Sequence, residues 1–230
     1  SPLPETADGT LAEEAADFLL ENAHRFAAAV IGPGLSQNEQ TVEVVRRIVR
    51  DFSPPLLIDA DGLNALEPDH LRARQYPWAA SPHPGEMARL MDADSAGEIQ
   101  SDRWGWARRA ADALKGPIAL KGPGTVIASP ETPLAVNPTG GPEMASGGMG
   151  DVLSGLVGGL MAQGLSPLDA LSAGVYLHGL AADLVVEHTG YRALLAGDVG
   201  AMVQGAITEL LDGPQMVSSR RVDSNVSRST

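Results

Sequence analysis

The 230-residue chain contains no cysteine. That excludes a disulfide framework, a thiolate nucleophile and any cysteine metal site. Positive charge is also scarce: 16 Lys and Arg stand against 29 Asp and Glu, for a net charge of −13. Nucleic acid and anionic membranes would be repelled by such a surface. An anionic substrate would need a local positive site. Only two lysines are present, Lys115 and Lys121, so a lysine kept inside a motif stands out. No GxxxxGK[ST] occurs, which excludes a Walker P-loop, and no GxGxxG follows a strand pattern, which argues against a Rossmann dinucleotide site. No apolar run reaches transmembrane length. The opening SPLPETADGT is acidic and has neither the basic nor the apolar region of a signal peptide. The default location is the cytoplasm.

What the chain does have is glycine, 26 residues of it. Gly140, Gly141, Gly147, Gly148 and Gly150 crowd the run NPTGGPEMASGGMGDVLSG (137–155), ahead of Asp151 and an apolar stretch of helical period. Glycine lets the backbone take positive φ and approach a ligand closely. A glycine-rich turn feeding a helix start aims free N–H groups and the positive dipole end at an anion. A carboxylate there repels phosphate and suits a metal contact or a proton acceptor better. The segment reads as a phosphate cradle with a catalytic acid beside it. The plainer alternative is a loop with Asp151 as helix cap; the coincidence of glycines, acid and long apolar helix outweighs it.

Hydrophobic content of 43% is enough for one sizeable core. A single catalytic domain over 1–212 and a flexible polar tail over 213–230 are expected. Periodicity predicts helices over 11–23, 38–51, 97–114, 152–163, 168–187 and 201–211. It predicts strands over 27–31, 55–58, 78–80 and 117–120, then a hairpin over 125–128 and 133–136. The alternation implies an α/β fold, a mostly parallel sheet with helices on both faces. Each central strand ends in a functional-looking cluster: Gly32 and Gly34, Asp59 and Asp61, His83, then Lys121. Ligands of open α/β sheets bind outside the carboxyl ends of the strands, so these clusters are predicted to share one edge with the glycine-rich loop.

Taken singly, the clusters remain open. In Lys121-Gly122-Pro123-Gly124-Thr125 the lysine suits phosphate contact as a point charge, or is a solvated lysine in a turn. His83 is stiffened between Pro82 and Pro84 and suits substrate contact, although an ordinary polar loop residue is the plainer reading. Asp59 and Asp61 either hold Mg²⁺ through water or cap a helix. His24, His70, His178 and His188 have no metal spacing and read as structural or exposed. Gly155 and Gly159 permit close helix packing, and Asn225-Val226-Ser227 is a sequon in form only.

Together, IGPG (31–34), DADGLNAL (59–66), SPHPGEMARL (81–90), LKGPGTVIA (120–128) and the glycine-rich run closely resemble the ADP/ATP-dependent NAD(P)H-hydrate dehydratases, over nearly the whole chain and in the family's order. The resemblance implies a three-layer ribokinase-like fold and a metabolite-repair lyase. Hydrated NADH or NADPH (NADHX, NADPHX) is dehydrated back to the working cofactor, with ADP or ATP as co-substrate and Mg²⁺. The hydrate hydroxyl is phosphorylated and phosphate then leaves. By the family pattern Lys121, Gly122, Pro123, Gly124, Thr125 and Gly150 contact the nucleotide, with Gly147 and Gly148 in the same loop. Gly34, His83 and Asp151 contact the hydrate, and Asp151 is the catalytic base; no residue is assigned to a protein-held metal. Family members usually begin with a further strand, glycine-rich turn and helix, without which a sheet edge or core surface is expected to be exposed. The resemblance further implies a homo-oligomer and a functional partner, the NAD(P)H-hydrate epimerase. Two rivals remain: a vitamin-precursor kinase of the same fold, and a nucleotide-binding form without turnover.

Overall fold

The computed structural model describes residues 2–190 and 193–212. The tail over 213–230, with its sequon, lies outside the described residues. Six strands form one sheet: β1 (Ala29–Ile31), β2 (Leu56–Ile58), β3 (Trp78–Ala80), β4 (Ile118–Leu120), β5 (Val126–Ala128) and β6 (Ala135–Val136). They lie side by side in chain order. β1 to β4 are parallel, while β5 and β6 run antiparallel. Among the described residues β1 is an edge strand.

The central strands are apolar at every position, LLI, WAA and IAL, because both faces are covered. Leu56, Ile58, Ile118 and Leu120 face α2 (Glu39–Asp51), α4 (Pro68–Ala73) and α7 (Arg103–Leu114). Leu57, Ala79, Ala119 and Ile127 face α8 (Met149–Ala162) and α9 (Pro167–Thr189). The period-two alternation of strand side chains thus sorts one sheet into a three-layer molecule. α1 (Ala15–Glu21) packs on α2, and α10 (Ala196–Asp212) packs on α9.

Several boundaries differ from the sequence expectation. The helix predicted over 97–114 is two helices, α6 (Ala96–Ser101) and α7. Asp102 divides them at φ −143° and ψ 62°, and its side chain accepts from the Gly105 N–H at 2.9 Å. An aspartate able to bond the amide three residues on competes with helix continuation. Three short helices escape a periodicity signal: α3 (Ala60–Asn64), α4 and α5 (Pro84–Leu90). α9 is long and apolar enough, by length and composition, to cross a membrane, which corrects the reading that no such run exists. Here 56% of its apolar window is buried inside the molecule, against α8, α10 and β3.

Candidate active site

Because β1 to β4 are parallel, their carboxyl ends open on one edge. The residues just beyond them are stitched in a row. The Asp59 N–H donates to the Ile31 carbonyl at 3.1 Å, Ser81 to Ile58 at 3.2 Å and Lys121 to Pro82 at 2.8 Å. The predicted shared edge is therefore present. Gly32 is required there: at φ +133° a Cβ would overlap the Asp59 carbonyl oxygen.

A buried charge network runs along this edge. Lys121 Nζ pairs with Asp59 Oδ1 and lies 3.9 Å from Glu86 Oε2. Asp59 Oδ2 accepts from Ser154 Oγ at 2.6 Å. Asp59 is 1% exposed and Glu86 5%. Burial pushes the Glu86 carboxyl above its ordinary range, with Lys121 opposing the shift. Glu86 also accepts from the His83 N–H at 2.7 Å. His83 Nδ1 accepts from the amides of Gly85 and Glu86 at 3.0 and 3.2 Å, so the two residues form a capping box for α5. With Nδ1 accepting, the proton of the neutral ring sits on Nε2, 3.3 Å from Glu86 Oε1.

These contacts settle several open readings. Lys121 is not a solvated turn lysine; it is held in an ion pair. Asp59 occupies the N-cap position of α3, but its side chain makes no capping bond. Asp61 ties down the loop after β1, accepting from the Ser36 N–H at 2.8 Å. Among the described residues no group of three or more potential ligands is placed to hold a metal. Asp59 and Glu86 already face Lys121, Asp59 paired with it and Glu86 Oε2 at 3.9 Å.

The glycine-rich run delivers Asp151 differently from the capping alternative. Gly148, at φ +83°, is the N-cap of α8, and Asp151 is its third residue. Asp151 is exposed, in the first helical turn, where backbone amides lack intrahelical acceptors. Among the described residues no hydrogen bond or ion pair engages its carboxylate. Ser154, one turn further on, pins α8 to Asp59. A Cβ on Gly150 would stand 3.9 Å from both Asp59 Oδ2 and Lys121 Nζ, so the loop backbone lies against that pair.

Two cavities flank this arrangement. One, of about 400 Å³, is lined by Lys121, Gly122, Pro123, Gly124, Thr125, Gly140, Gly150 and His178, among others. Its far wall is fixed to α9: Thr139 Oγ1 donates to the Tyr176 carbonyl at 2.8 Å, and the Gly140 N–H meets the Asp183 carboxylate at 3.0 Å. The other, of about 410 Å³, runs between α8 and β1. It is walled by Leu11, Phe26, Val30, Ile48 and Phe52 and has Asp151, Ser154 and Gly32 among its lining. Gly34, His83, Gly147 and Gly148 line neither cavity. The structure thus gathers the predicted nucleotide residues, apart from Gly147 and Gly148, around one space and leaves Asp151 beside the other.

Sequence reasoning gave no role to Glu86, Ser154 or Arg103, and left His178 as structural or exposed. Glu86 and Ser154 sit inside the quoted motifs, which was the available signal. His178 is buried with Nε2 unpartnered, and burial lowers its pKa to about 4.

The three-layer α/β arrangement is a ribokinase-like fold. A ribokinase-like superfamily protein from Enterococcus faecalis superposes with a TM-score of 0.71 at 23% identity, over 88% of this chain and 69% of that one. The family model for NAD(P)H-hydrate dehydratase matches residues 1–204, and the chain belongs to that family. The bifunctional NAD(P)H-hydrate repair enzyme Nnr of Moorella thermoacetica is 44% identical over 199 residues, 86% of this chain and 37% of that protein. The chain therefore spans well under half the length of that curated relative. The ADP/ATP-dependent NAD(P)H-hydrate dehydratase of Bacillus subtilis, co-crystallised with ATP/Mg²⁺, is 30% identical with a TM-score of 0.70, over 83% of this chain and 71% of that one.

Proposed function

We propose that this chain dehydrates hydrated NADH and NADPH at the expense of ADP or ATP. Asp151 takes the proton of the hydrate hydroxyl. The freed oxygen attacks the terminal phosphoryl group, and the bond to the shortened nucleotide breaks. Phosphate, a far better leaving group than hydroxide, then departs with the carbon–oxygen bonding electrons. The neighbouring carbon gives up a proton, and the nicotinamide ring double bond returns. Lys121 to Thr125 and Gly150 hold the nucleotide, while Gly34 and His83 contact the hydrate, His83 presenting its Nε2–H as a donor. The first-turn amides of α8, with Gly147 and Gly148 before them, receive transferring phosphate charge. Mg²⁺, when bound with the nucleotide, neutralises phosphate charge.

The observation that carries this reading is Asp151: exposed, unengaged, on a glycine-started helix whose Gly150 lines the cavity of Lys121 to Thr125 while Asp151 itself lines the neighbouring one. Transfer to a hydroxyl needs a base free to take its proton, next to a cradle for the donor phosphates. An epimerase partner, a homo-oligomeric state and a cytoplasmic location belong to the same proposal; the repair enzymes it resembles are named as bifunctional.

The test is spectrophotometric: purified chain, hydrated NADH, Mg²⁺ and ADP or ATP, following the return of reduced nicotinamide absorbance. Nucleotide-dependent recovery is expected. A phosphorylated product that accumulates would instead mark a kinase, and binding without recovery a form that needs further structure beside β1.

A further inference from the structure

Arg103, the first residue of α7, stands behind the loop that lines the nucleotide cavity. Its guanidinium donates to three neutral acceptors: Gln100 Oε1 at 2.9 Å, the Lys121 carbonyl at 3.2 Å and the Leu120 carbonyl at 2.9 Å. Among the described residues it has no carboxylate partner. The adjacent Asp102 is turned to the Gly105 amide and to Arg109. Burial alone acts on the Arg103 charge, lowering its pKa. The loop folds directly over it: Gly122 has φ +133°, and a Cβ there would stand 2.8 Å from Arg103 Nη1.

Lys121 is the contrast. Its ammonium is answered by Asp59, with Glu86 also within 3.9 Å. A lysine so compensated can still donate to a phosphate in contact with it, but presents little net field at a distance. In a chain of net charge −13, the uncompensated positive charge at this loop belongs to Arg103.

We infer that Arg103 is the positioning residue of the nucleotide site: its fork fixes the Leu120 and Lys121 carbonyls, and its unpaired charge draws the nucleotide phosphates onto the loop. This rests on the nucleotide site proposed above. Arg103 does not line the cavity; it acts through the loop and through its field. An arginine suits this because its planar fork holds two carbonyls at once and its charge survives partial burial. A half-buried charge is screened less by salt than an exposed one.

Calorimetric titration of the full chain with ADP and with ATP, at low and high salt, tests the inference. Four proteins are compared: the parent, Arg103→Gln, Arg103→Lys and Pro123→Asp, which sets a carboxylate on the cavity wall. Arg103→Gln is expected to weaken both nucleotides about tenfold or more and to flatten the salt dependence, with the hydrate KM held within about twofold. Arg103→Lys, which keeps charge and loses the fork, should fall between the two. Arg103→Gln binding within about twofold of the parent, while Pro123→Asp loses binding, overturns the inference and leaves the nucleotide site standing. Unchanged affinity in both removes the site itself. Should Arg103→Gln fail to fold, Arg103→Lys decides: a preserved salt dependence supports the charge role, and a flattened one overturns it.

Discussion

Asp59 and Asp151 lie at the same sheet edge and live in opposite surroundings. Asp59, 1% exposed, is paired with Lys121 and accepts from Ser154. Asp151 is exposed, and nothing among the described residues engages it. A carboxylate with its lone pairs committed cannot take up a proton without breaking those bonds; a free one in a phosphate cradle can. On the proposed mechanism one edge divides its acids between scaffold and chemistry, and packing makes the division. Asp59 opens one punctuation run, DADG, and Asp151 closes another, GGMGD, so residue type alone does not separate them.

The sharpest way to break the comparison is Asp151→Asn. The substitution keeps volume and polarity and removes the base. Turnover should fall by about 10²–10⁴, the usual contribution of a positioned acid–base group, with nucleotide affinity by calorimetry little changed. A near-parental rate would sink the assignment of Asp151 as base. Next in size is Lys121→Ala, which strands Asp59 and Glu86 without their cation. Removing one partner of a buried pair costs about 3–5 kcal/mol, read by chemical denaturation. The double variant Lys121→Met with Asp59→Asn should recover a large part of that loss. If it does not, the pair is not what holds this edge.

Much of the edge was legible because each motif directly follows an apolar triplet, and a buried parallel strand must be apolar throughout. IGPG, DADG, SPHPGE and LKGPG therefore read as strand ends from the sequence alone. What could not be read is pairing across distance. Lys121 meets Asp59 from 62 positions away, and Ser154 meets the same carboxylate from 95. No local pattern encodes such separations. Asp102 was misread for a related reason: its capping bond interrupts a helix whose apolar period continues across the break. Arg103 left no local signal either, since its proposed role lies in an absent partner.

A smaller effect separates the cavity wall from the edge. His178 is buried, and its pKa falls to about 4, against about 6.5 when unfolded. Between those values the unfolded chain binds a proton and the folded chain does not. Stability is therefore full above the unfolded value and is lost as pH falls through the window, by roughly 3 kcal/mol at most. Thermal melts at neutral and mildly acidic pH should show a larger drop for the parent than for His178→Gln. Equal drops would mean that other groups carry the acid limb.

The smallest effect is expected at Glu86, the surplus charge of the network. One ammonium faces two buried carboxylates, and burial raises the Glu86 carboxyl. A raised folded value reverses the sign found for His178. Stability is full below the ordinary carboxylate range and is lost as pH rises through the folded value. Glu86→Gln keeps an oxygen for the His83 N–H and leaves Lys121 matched to Asp59 alone. Replacing a poorly compensated buried charge by a neutral isostere is often neutral or stabilising, so a change within about 1 kcal/mol at neutral pH is expected by denaturation. The variant should also lose stability less steeply than the parent as pH is raised. A large destabilisation would show that Lys121 needs both carboxylates, and Glu86 would then join Asp59 as scaffold.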